Sequence, residues 1–172
     1  MAEEIFDVVD EQDEVIYQAP RKDVHARGLL HRAVHVLVFN AQGQIFLQQR
    51  ARTKDTFPSR WDSSAAGHVA SGDGYDLTAQ RELEEELGVT APPEAFEPLF
   101  YIRACRETGN EFVWVYRTRH EGPFHLQASE IEGGGWFAPE HVDGWIAERP
   151  DDHAPSFVLI WQQWRQAATP GV

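Results

Sequence analysis

Alternating apolar and polar positions predict short β-strands along much of this chain. Two such segments, residues 4–9 and 14–17, flank the polar stretch DEQD and predict an N-terminal β-hairpin extension over about residues 3–18. We expect this hairpin to add to the edge of a larger sheet. From Val34 to Phe39 both alternating sets are largely apolar, which predicts a strand buried on both faces. The turn NAQG then leads into a returning strand, QIFLQQR.

Helical spacing of apolar residues is clearest in the middle of the chain. Ala79, Leu83 and Leu87 recur at i, i+4 and i+8, so they form one stripe along a helix that can pack on a sheet. Gly88 predicts the end of this helix, because glycine readily adopts the left-handed conformation of a helix cap. The other periodic segments predict two strands at residues 97–103 and 111–118, a helix that starts at Pro139, and a C-terminal helix at residues 156–168.

Three carboxylates share one face of the central helix. Glu82, Glu85 and Glu86 stand at i, i+3 and i+4, and an α-helix turns by about 100° per residue. Like charges at this spacing cost a few tenths of a kcal/mol, which a fold tolerates most readily when a cation lies between them. Oxygen ligands of this kind suit Mg²⁺ or Mn²⁺. On the helix alone, the alternative is an acidic face exposed to solvent.

The stretch GHVASGDGYDLTAQRELEEELGV, which contains these carboxylates, resembles the Nudix box, G-x5-E-x7-R-E-U-x-E-E-x-G-U, where U is a bulky aliphatic residue. The positions that match in register are Gly67, Arg81, Glu82, Leu83, Glu85, Glu86, Gly88 and Val89. One position departs from the pattern, because Asp73 stands where the family has glutamate. The charge is kept on a side chain that is one methylene shorter. We expect Arg81 to support the glycine-rich loop through an ion pair with Asp73.

The resemblance implies an α+β fold, in which helices sandwich a mixed β-sheet in an αβα arrangement. It also implies a metal-dependent hydrolase that cleaves a diphosphate linkage in a nucleoside diphosphate derivative or a similar organic diphosphate. The expected cofactor is Mg²⁺ or Mn²⁺, and the expected metal ligands are Gly67, Glu82, Glu85 and Glu86. A carboxylate would take the proton of the attacking water, with Glu85 as the first candidate and Glu111 as the second.

The likeness extends beyond the box to nearly the whole chain. The stretches HRAVHVLVFN and QQRARTKDTFPSRWDSSAAGH resemble the branch of the family that contains isopentenyl-diphosphate isomerase. His31 and His68 match metal-binding histidines of that branch, and Glu111 matches a glutamate that is both catalytic and metal-binding. These matches predict a second metal site. By the same resemblance His25 and His35 also lie near the cleft, so four histidines and a glutamate could bind a transition metal. A hydrogen-bonded structural role is the alternative for each histidine. Ala66 stands where the isomerases have a catalytic cysteine, and Gly109 stands where they have a second glutamate.

Charge narrows the range of partners. The chain has 15 Lys and Arg against 28 Asp and Glu, a formal net charge of −13. This balance argues against binding to nucleic acid polymers or to anionic membranes, both of which attract basic surfaces. A polyanionic substrate would need local help from metal ions or from a few basic side chains. Candidates for substrate binding are Arg50, Lys54 and Arg60, with ordinary surface charge as the alternative.

Length and cysteine content bear on organisation and compartment. We expect a single domain over residues 1–172, because 172 residues suffice for one sizeable core. The acidic N-terminus does not resemble a signal peptide, and no apolar run approaches the roughly 18 residues of a membrane span. A single cysteine, Cys105, allows no internal disulfide. These observations favour the cytoplasm.

Two alternative functions stay open. One is an isopentenyl-diphosphate isomerase, against which the missing cysteine argues. The other is a noncatalytic module that binds a nucleotide or diphosphate, which would not need the complete set of carboxylates. The expected partner is a small-molecule diphosphate. The leaving group and the oligomeric state, including a homodimer, stay open.

Overall fold

The structure is a computed structural model that describes residues 2–168. This part of the chain contains nine strands, β1 to β9: Ile5–Val9, Val15–Pro20, His31–Phe39, Ile45–Arg50, Trp61–Asp62, Ala65–His68, Glu97–Ile102, Glu111–Arg119 and Ile131–Phe137. It also contains four α-helices, α1 to α4: Arg21–Arg27, Tyr75–Leu87, Pro139–Glu148 and Pro155–Ala168. Two short 3-10 turns lie at Pro93–Ala95 and Pro150–Asp152. None of the described helices is long and apolar enough to cross a membrane.

A mixed sheet of seven strands is built around β3. One edge of β3 runs parallel to β8, from the pair His31 and Glu111 to the pair Phe39 and Arg119, and β7 lies antiparallel to β8. The other edge of β3 pairs antiparallel with β6 along residues 33–36 and then with β4 at its end. Strands β5 and β9 pair with β4. Because β6 and β4 share one edge of β3, the sheet is split between them.

Helices cover both faces of this sheet, which confirms the predicted αβα sandwich. On one face α2 packs against β3 in an apolar cluster that includes Val34, Val36, Ala79, Leu83 and Leu87. On the other face α3 and α4 pack in a cluster that includes Leu37, Val113, Val142, Phe157 and Trp161. The two-sided burial predicted for β3 is correct. Gly88 ends α2 in the left-handed conformation, with φ of 71°, as its position predicts.

The N-terminal hairpin has the predicted strands but not the predicted place. Strands β1 and β2 form a separate two-stranded sheet, so the expectation that they extend the edge of the larger sheet is wrong. Apolar packing of Phe6 against Val24 of α1 and the ion pair of Asp13 with Arg32, at 2.6 Å, hold the hairpin to the body of the fold. Asp13 also accepts a hydrogen bond from the hydroxyl of Tyr75 at 2.6 Å. Besides these side-chain contacts, an isolated bridge at Phe6 and a few backbone hydrogen bonds join the hairpin to loops of the chain, in place of the strand ladder that the sequence predicted.

Three consecutive glycines lie inside β9. A Cβ at Gly134 would overlap the ring of Phe46 in the neighbouring strand β4. Glycine therefore lets β9 lie directly over this aromatic side chain.

Candidate active site

A cavity of about 630 Å³ opens where β3 and β8 begin. Its volume lies within the range of roughly 300–1,000 Å³ that is usual for small-molecule sites. The lining comes from α1, β3, β4, β6, α2 and β8, and from the loop between β7 and β8. Most of these side chains are polar or charged, so the cavity suits a polar ligand.

Glu86 enters this cavity through the split between β6 and β4. Its Oε1 accepts the backbone N–H of Ala66 at 2.7 Å and lies 3.4 Å from the side-chain amide of Gln48. Glu86 is only 4% exposed. Glu82 lies one turn earlier, and a Cβ at Gly67 would overlap its carboxyl group. The first glycine of the box therefore leaves the space that the carboxyl group of Glu82 occupies beside β6.

Burial raises the pKa values of both carboxyl groups, Glu82 and Glu86. Burial and then the charge of Glu85 raise the pKa of Glu82 to about 7. Burial and then the charge of Glu82 raise the pKa of Glu86 well above its usual value. Both shifts disfavour the ionised forms, and a nearby cation would reverse them. The donors are oxygens that face a cavity, so the residues fit the expected Mg²⁺ or Mn²⁺.

Glu85 and Arg81 lie at the edge of the same site. The side chain of Glu85 is about half exposed and lines the cavity. Arg81 forms the expected ion pair with Asp73, at 2.6 Å, and its guanidinium also lies 3.8 Å from Glu82 and 3.9 Å from Glu85. This arginine therefore links the glycine-rich loop to the carboxylates of the helix.

A cluster of histidines forms the opposite wall. Ring nitrogens of His25, His31 and His68 lie within 4.8 Å of one another. Oε1 of Glu111 lies 3.1 Å from Nε2 of His68 and 3.6 Å from Nε2 of His31. His31 is 1% exposed, and its Nε2 has no hydrogen-bond partner among the described residues. The ring of Phe6 in β1 packs against all three histidines.

The surroundings lower the pKa of two groups at this wall, Glu111 and His25. Burial would raise the pKa of Glu111, but the neighbouring His68 and His31 together lower it. Burial and then the charge of His68 lower the pKa of His25 to about 4. Neutral imidazoles beside an ionised carboxylate are the form in which these groups bind transition metals.

The three basic side chains predicted to bind substrate do not all lie at the same cavity. Arg50 and Lys54 line the cavity, but each already contacts a carboxylate, Asp62 at 3.3 Å for Arg50 and Glu130 for Lys54. Arg60 lies in the wall of a smaller cavity, of about 330 Å³, beside the 3-10 turn at residues 150–152. Its guanidinium lies over the ring of Phe57. Of the three basic candidates, Arg50 and Lys54 therefore line the larger cavity, whereas Arg60 lines the smaller one.

Of the two further histidines that the resemblance places near the cleft, His25 joins the cluster, whereas His35 lines the cavity outside it. Sequence reasoning missed other residues of the cavity, which are Arg21, Gln48, Asp62 and Arg106. Arg21 comes from α1, which carries no motif. The other three are brought in by strand register and by the loop before β8.

Comparison with known sequences gives consistent matches. A family model described as NUDIX domain matches residues 29–159. An uncharacterised Nudix hydrolase of Yersinia pestis is 38% identical over 163 residues, which cover 94% of this chain and 85% of that protein. Nudix hydrolase 3 of Arabidopsis thaliana is 44% identical over 168 residues, which cover 90% of this chain. The match spans only 22% of the plant protein.

Comparison of folds agrees with the sequences. The crystal structure of DR0079 from Deinococcus radiodurans superposes with a TM-score of 0.75 at 34% identity, over 84% of this chain and 90% of that one. The NUDIX domain of Shewanella oneidensis NrtR, crystallised with ADP ribose, gives a TM-score of 0.63 over 80% of this chain and 87% of that one. Its identity is 17%, so it shows the fold alone.

The raised pKa of Glu82 predicts how stability depends on pH in the metal-free protein. Between its usual value of 4.5 and about 7, the folded state holds a proton that the unfolded state loses. The corresponding stability is fully present below pH 4.5 and is lost as the pH rises through 7. We therefore expect metal-free Glu82→Gln to gain stability relative to the parent between about pH 5 and about pH 8.

Urea unfolding in the presence of a chelator measures this difference. Glu84→Gln is the matched control, because Glu84 is an exposed carboxylate on the same helix. Stability curves of the parent and Glu82→Gln that stay parallel across this pH range would contradict the prediction.

Proposed function

The chain belongs to the Nudix family of hydrolases, and we propose that it cleaves the diphosphate linkage of a nucleoside diphosphate derivative or a similar organic diphosphate, with Mg²⁺ or Mn²⁺ as its cofactor. The observation that carries this proposal is the meeting of Glu82 and Glu86 at the cavity. These largely buried like charges need a cation to stay ionised together. With Glu85 and the carbonyl of Gly67 they would form a set of hard oxygen donors.

The reaction is the attack of water on a phosphorus atom with loss of the bridging oxygen, which leaves two phosphate-containing products. A bound divalent cation would supply charge against the phosphate oxygens and lower the pKa of the attacking water. Glu85 is the first candidate to take the proton of this water, because its half-exposed carboxylate lines the cavity. Glu111 is the second, since its pKa is lowered and it is ionised at neutral pH.

Substrate recognition would use the basic side chains that line the cavity. Arg50 and Lys54 are retained as phosphate contacts, which a substrate would have to share with Asp62 and Glu130. Arg60 is not part of the proposal, because it lies at the smaller cavity. ADP ribose, which the NrtR domain binds, belongs to the proposed class of nucleoside diphosphate derivatives. This likeness supports the class by analogy of fold.

The proposal includes a second cation site among His25, His31, His68 and Glu111. The nitrogen atoms are close enough to share one ion, and the buried Nε2 of His31 gains the partner that the described residues do not supply. Imidazole ligands favour first-row transition ions over Mg²⁺. In this arrangement Glu111 would act as a ligand and as an orienting group for His68.

We expect Glu86→Gln to reduce hydrolysis by several orders of magnitude, because it removes one charge at nearly constant shape. The metal-free variant should be as stable as the parent or slightly more so, since a neutral amide can still accept the N–H of Ala66. Activity on nucleoside diphosphate derivatives with Mg²⁺ or Mn²⁺, together with thermal unfolding in chelator, measures both effects. Unchanged turnover, or full activity of the parent in chelator, would overturn the mechanism and favour a noncatalytic binding module.

The second cation site predicts metal binding that depends on His68 but not on the box carboxylates. Titration with Co²⁺, followed by visible absorption that reports nitrogen ligation, should give a signal in the parent and in Glu86→Gln. We expect His68→Ala to lose this signal. His141→Ala, which removes an exposed histidine outside the cavity, should keep it. An unchanged spectrum in His68→Ala would remove this site from the proposal.

The reaction of the resembling isomerases is expected to be absent. Isomerising an allylic double bond requires a proton delivered to one carbon and another removed elsewhere, and the methyl group of Ala66 can do neither. We also expect Ala66→Cys alone not to create efficient turnover, because Gly109 leaves that metal site one carboxylate short. Incubation with isopentenyl diphosphate in deuterated water tests this. Deuterium entering the prenyl chain at a catalytic rate would show that the reaction is assigned wrongly.

A further inference from the structure

His35 is a buried histidine at the floor of the cavity that neither candidate metal site uses. It lies on β3, opposite Ala66 of β6, and is 4% exposed. Its Nδ1 lies 2.8 Å from Oγ of Ser63. Its Nε2 makes no hydrogen bond to the described residues, yet this atom is not sealed from solvent, and the side chain lines the cavity. Nδ1 is therefore held by Ser63, while Nε2 faces the cavity in which a ligand would bind.

The surroundings of Ser63 decide which nitrogen carries the proton. Ser63 is fully buried, and Nδ1 of His35 is the one partner of its hydroxyl within residues 2–168. If Nδ1–H donated to Oγ, the hydroxyl hydrogen would lack an acceptor, and a buried donor without a partner is destabilising. The hydroxyl therefore donates to Nδ1. Burial lowers the pKa of His35 and keeps the ring neutral, so its single proton sits on Nε2.

Asp62 fixes this arrangement but does not make it a catalytic triad. Its carboxylate accepts the backbone N–H of Ser63 at 2.7 Å and the guanidinium of Arg50 at 3.3 Å. It lies 3.8 Å from Nδ1 of His35, which is the same nitrogen that contacts the serine. A nucleophilic serine needs the histidine between itself and the carboxylate, with one ring nitrogen for each. Ser63 is moreover fully buried, so it cannot reach a substrate.

We propose that the Nε2–H group of His35 donates a hydrogen bond to a non-bridging oxygen of the diphosphate, and that Ser63 is the positioning residue that holds this tautomer. The inference rests on the proposed function, since it names how the same cavity recognises its substrate. His35 stands on the floor between Arg50, which shares Asp62 with it, and the histidine cluster. A neutral donor here contacts an anionic oxygen without adding another charge to a buried site, and hydrogen bonds to ionised acceptors are among the strongest.

Nitrogen-15 NMR of the histidine rings tests the tautomer without any measurement of activity. Long-range proton–nitrogen spectra, with the His35 signals assigned by their loss in His35→Gln, should show a neutral ring protonated at Nε2. Ser63→Ala should lose this preference. Methylene diphosphonate, a diphosphate analogue that resists hydrolysis, should shift the Nε2–H signal when it is added with Mg²⁺. A parent ring protonated at Nδ1, or a signal that saturating analogue does not move, would overturn the proposal.

Steady-state kinetics provide a second test of the role of His35. His35→Ala should lower kcat/KM by about 10- to 100-fold, as expected for the loss of one hydrogen bond to a charged group. His35→Gln, which keeps an N–H donor, should recover part of this loss, and Ser63→Ala should fall between the parent and His35→Ala. His141→Gln is the exposed control. Thermal unfolding checks that each variant is folded, and equal kcat/KM for parent and folded His35→Ala would overturn the proposal.

The two proposals fail in different ways. A parent that shows the Nε2–H tautomer and binds the analogue through it, but hydrolyses no diphosphate, would support the role of His35 and reject the proposed reaction. A parent that hydrolyses diphosphates but carries the His35 proton on Nδ1 would support the proposed reaction and reject the role of His35.

Discussion

The close approach of helix α2 to strand β6 is the constraint on which the rest of the site depends. A Cβ at Gly67 would overlap the carboxyl group of Glu82, and the backbone N–H of Ala66 binds Glu86 directly. A larger residue at position 67 would have to displace the carboxyl group of Glu82 from the place it occupies in the cavity wall. The split between β6 and β4 matters for the same reason, because a continuous strand pairing there would use the N–H group that Glu86 needs. One glycine and one unpaired strand edge thus convert an acidic helix face into an acidic cavity wall.

This arrangement opposes stability locally, and the fold compensates for it elsewhere. Burial of Glu82 and Glu86 raises the pKa of both groups, which is a free-energy cost whenever they are ionised. The same helix carries an apolar stripe that packs on β3, and the far side of the sheet is covered by α3 and α4. Strand β3 contributes to the cavity at one end and to the apolar core at the other. The face that bears His31 and His35 at the cavity bears Leu37 and Phe39 in the core.

The parts of this structure that local sequence determines were predictable, and the parts that depend on register and packing between distant segments were not. Helix α2 could be placed because its apolar stripe, its acidic face and Gly88 all lie within a few turns. The hairpin strands could be found from alternation, but nothing local indicates that the side chain of Asp13 anchors them as a separate sheet. The resemblance placed His25 near the cleft, but its contact with the other histidines depends on how α1 folds over the site. Arg60 looked equivalent to its basic neighbours, and only the loop geometry directs it away.

Electrostatics link cation and substrate under the proposed function. Among the described residues, eight acidic side chains line the cavity against four basic ones, which are Arg21, Arg50, Lys54 and Arg106. Three of these bases already pair with carboxylates of the same wall, Glu4, Asp62 and Glu130. A diphosphate would therefore meet a negative field unless cations enter with it. If the cation strengthens substrate binding by a given free energy, the substrate strengthens cation binding by the same amount, because coupling between two sites is reciprocal. The cavity therefore favours binding the cation and the diphosphate together over binding either one alone.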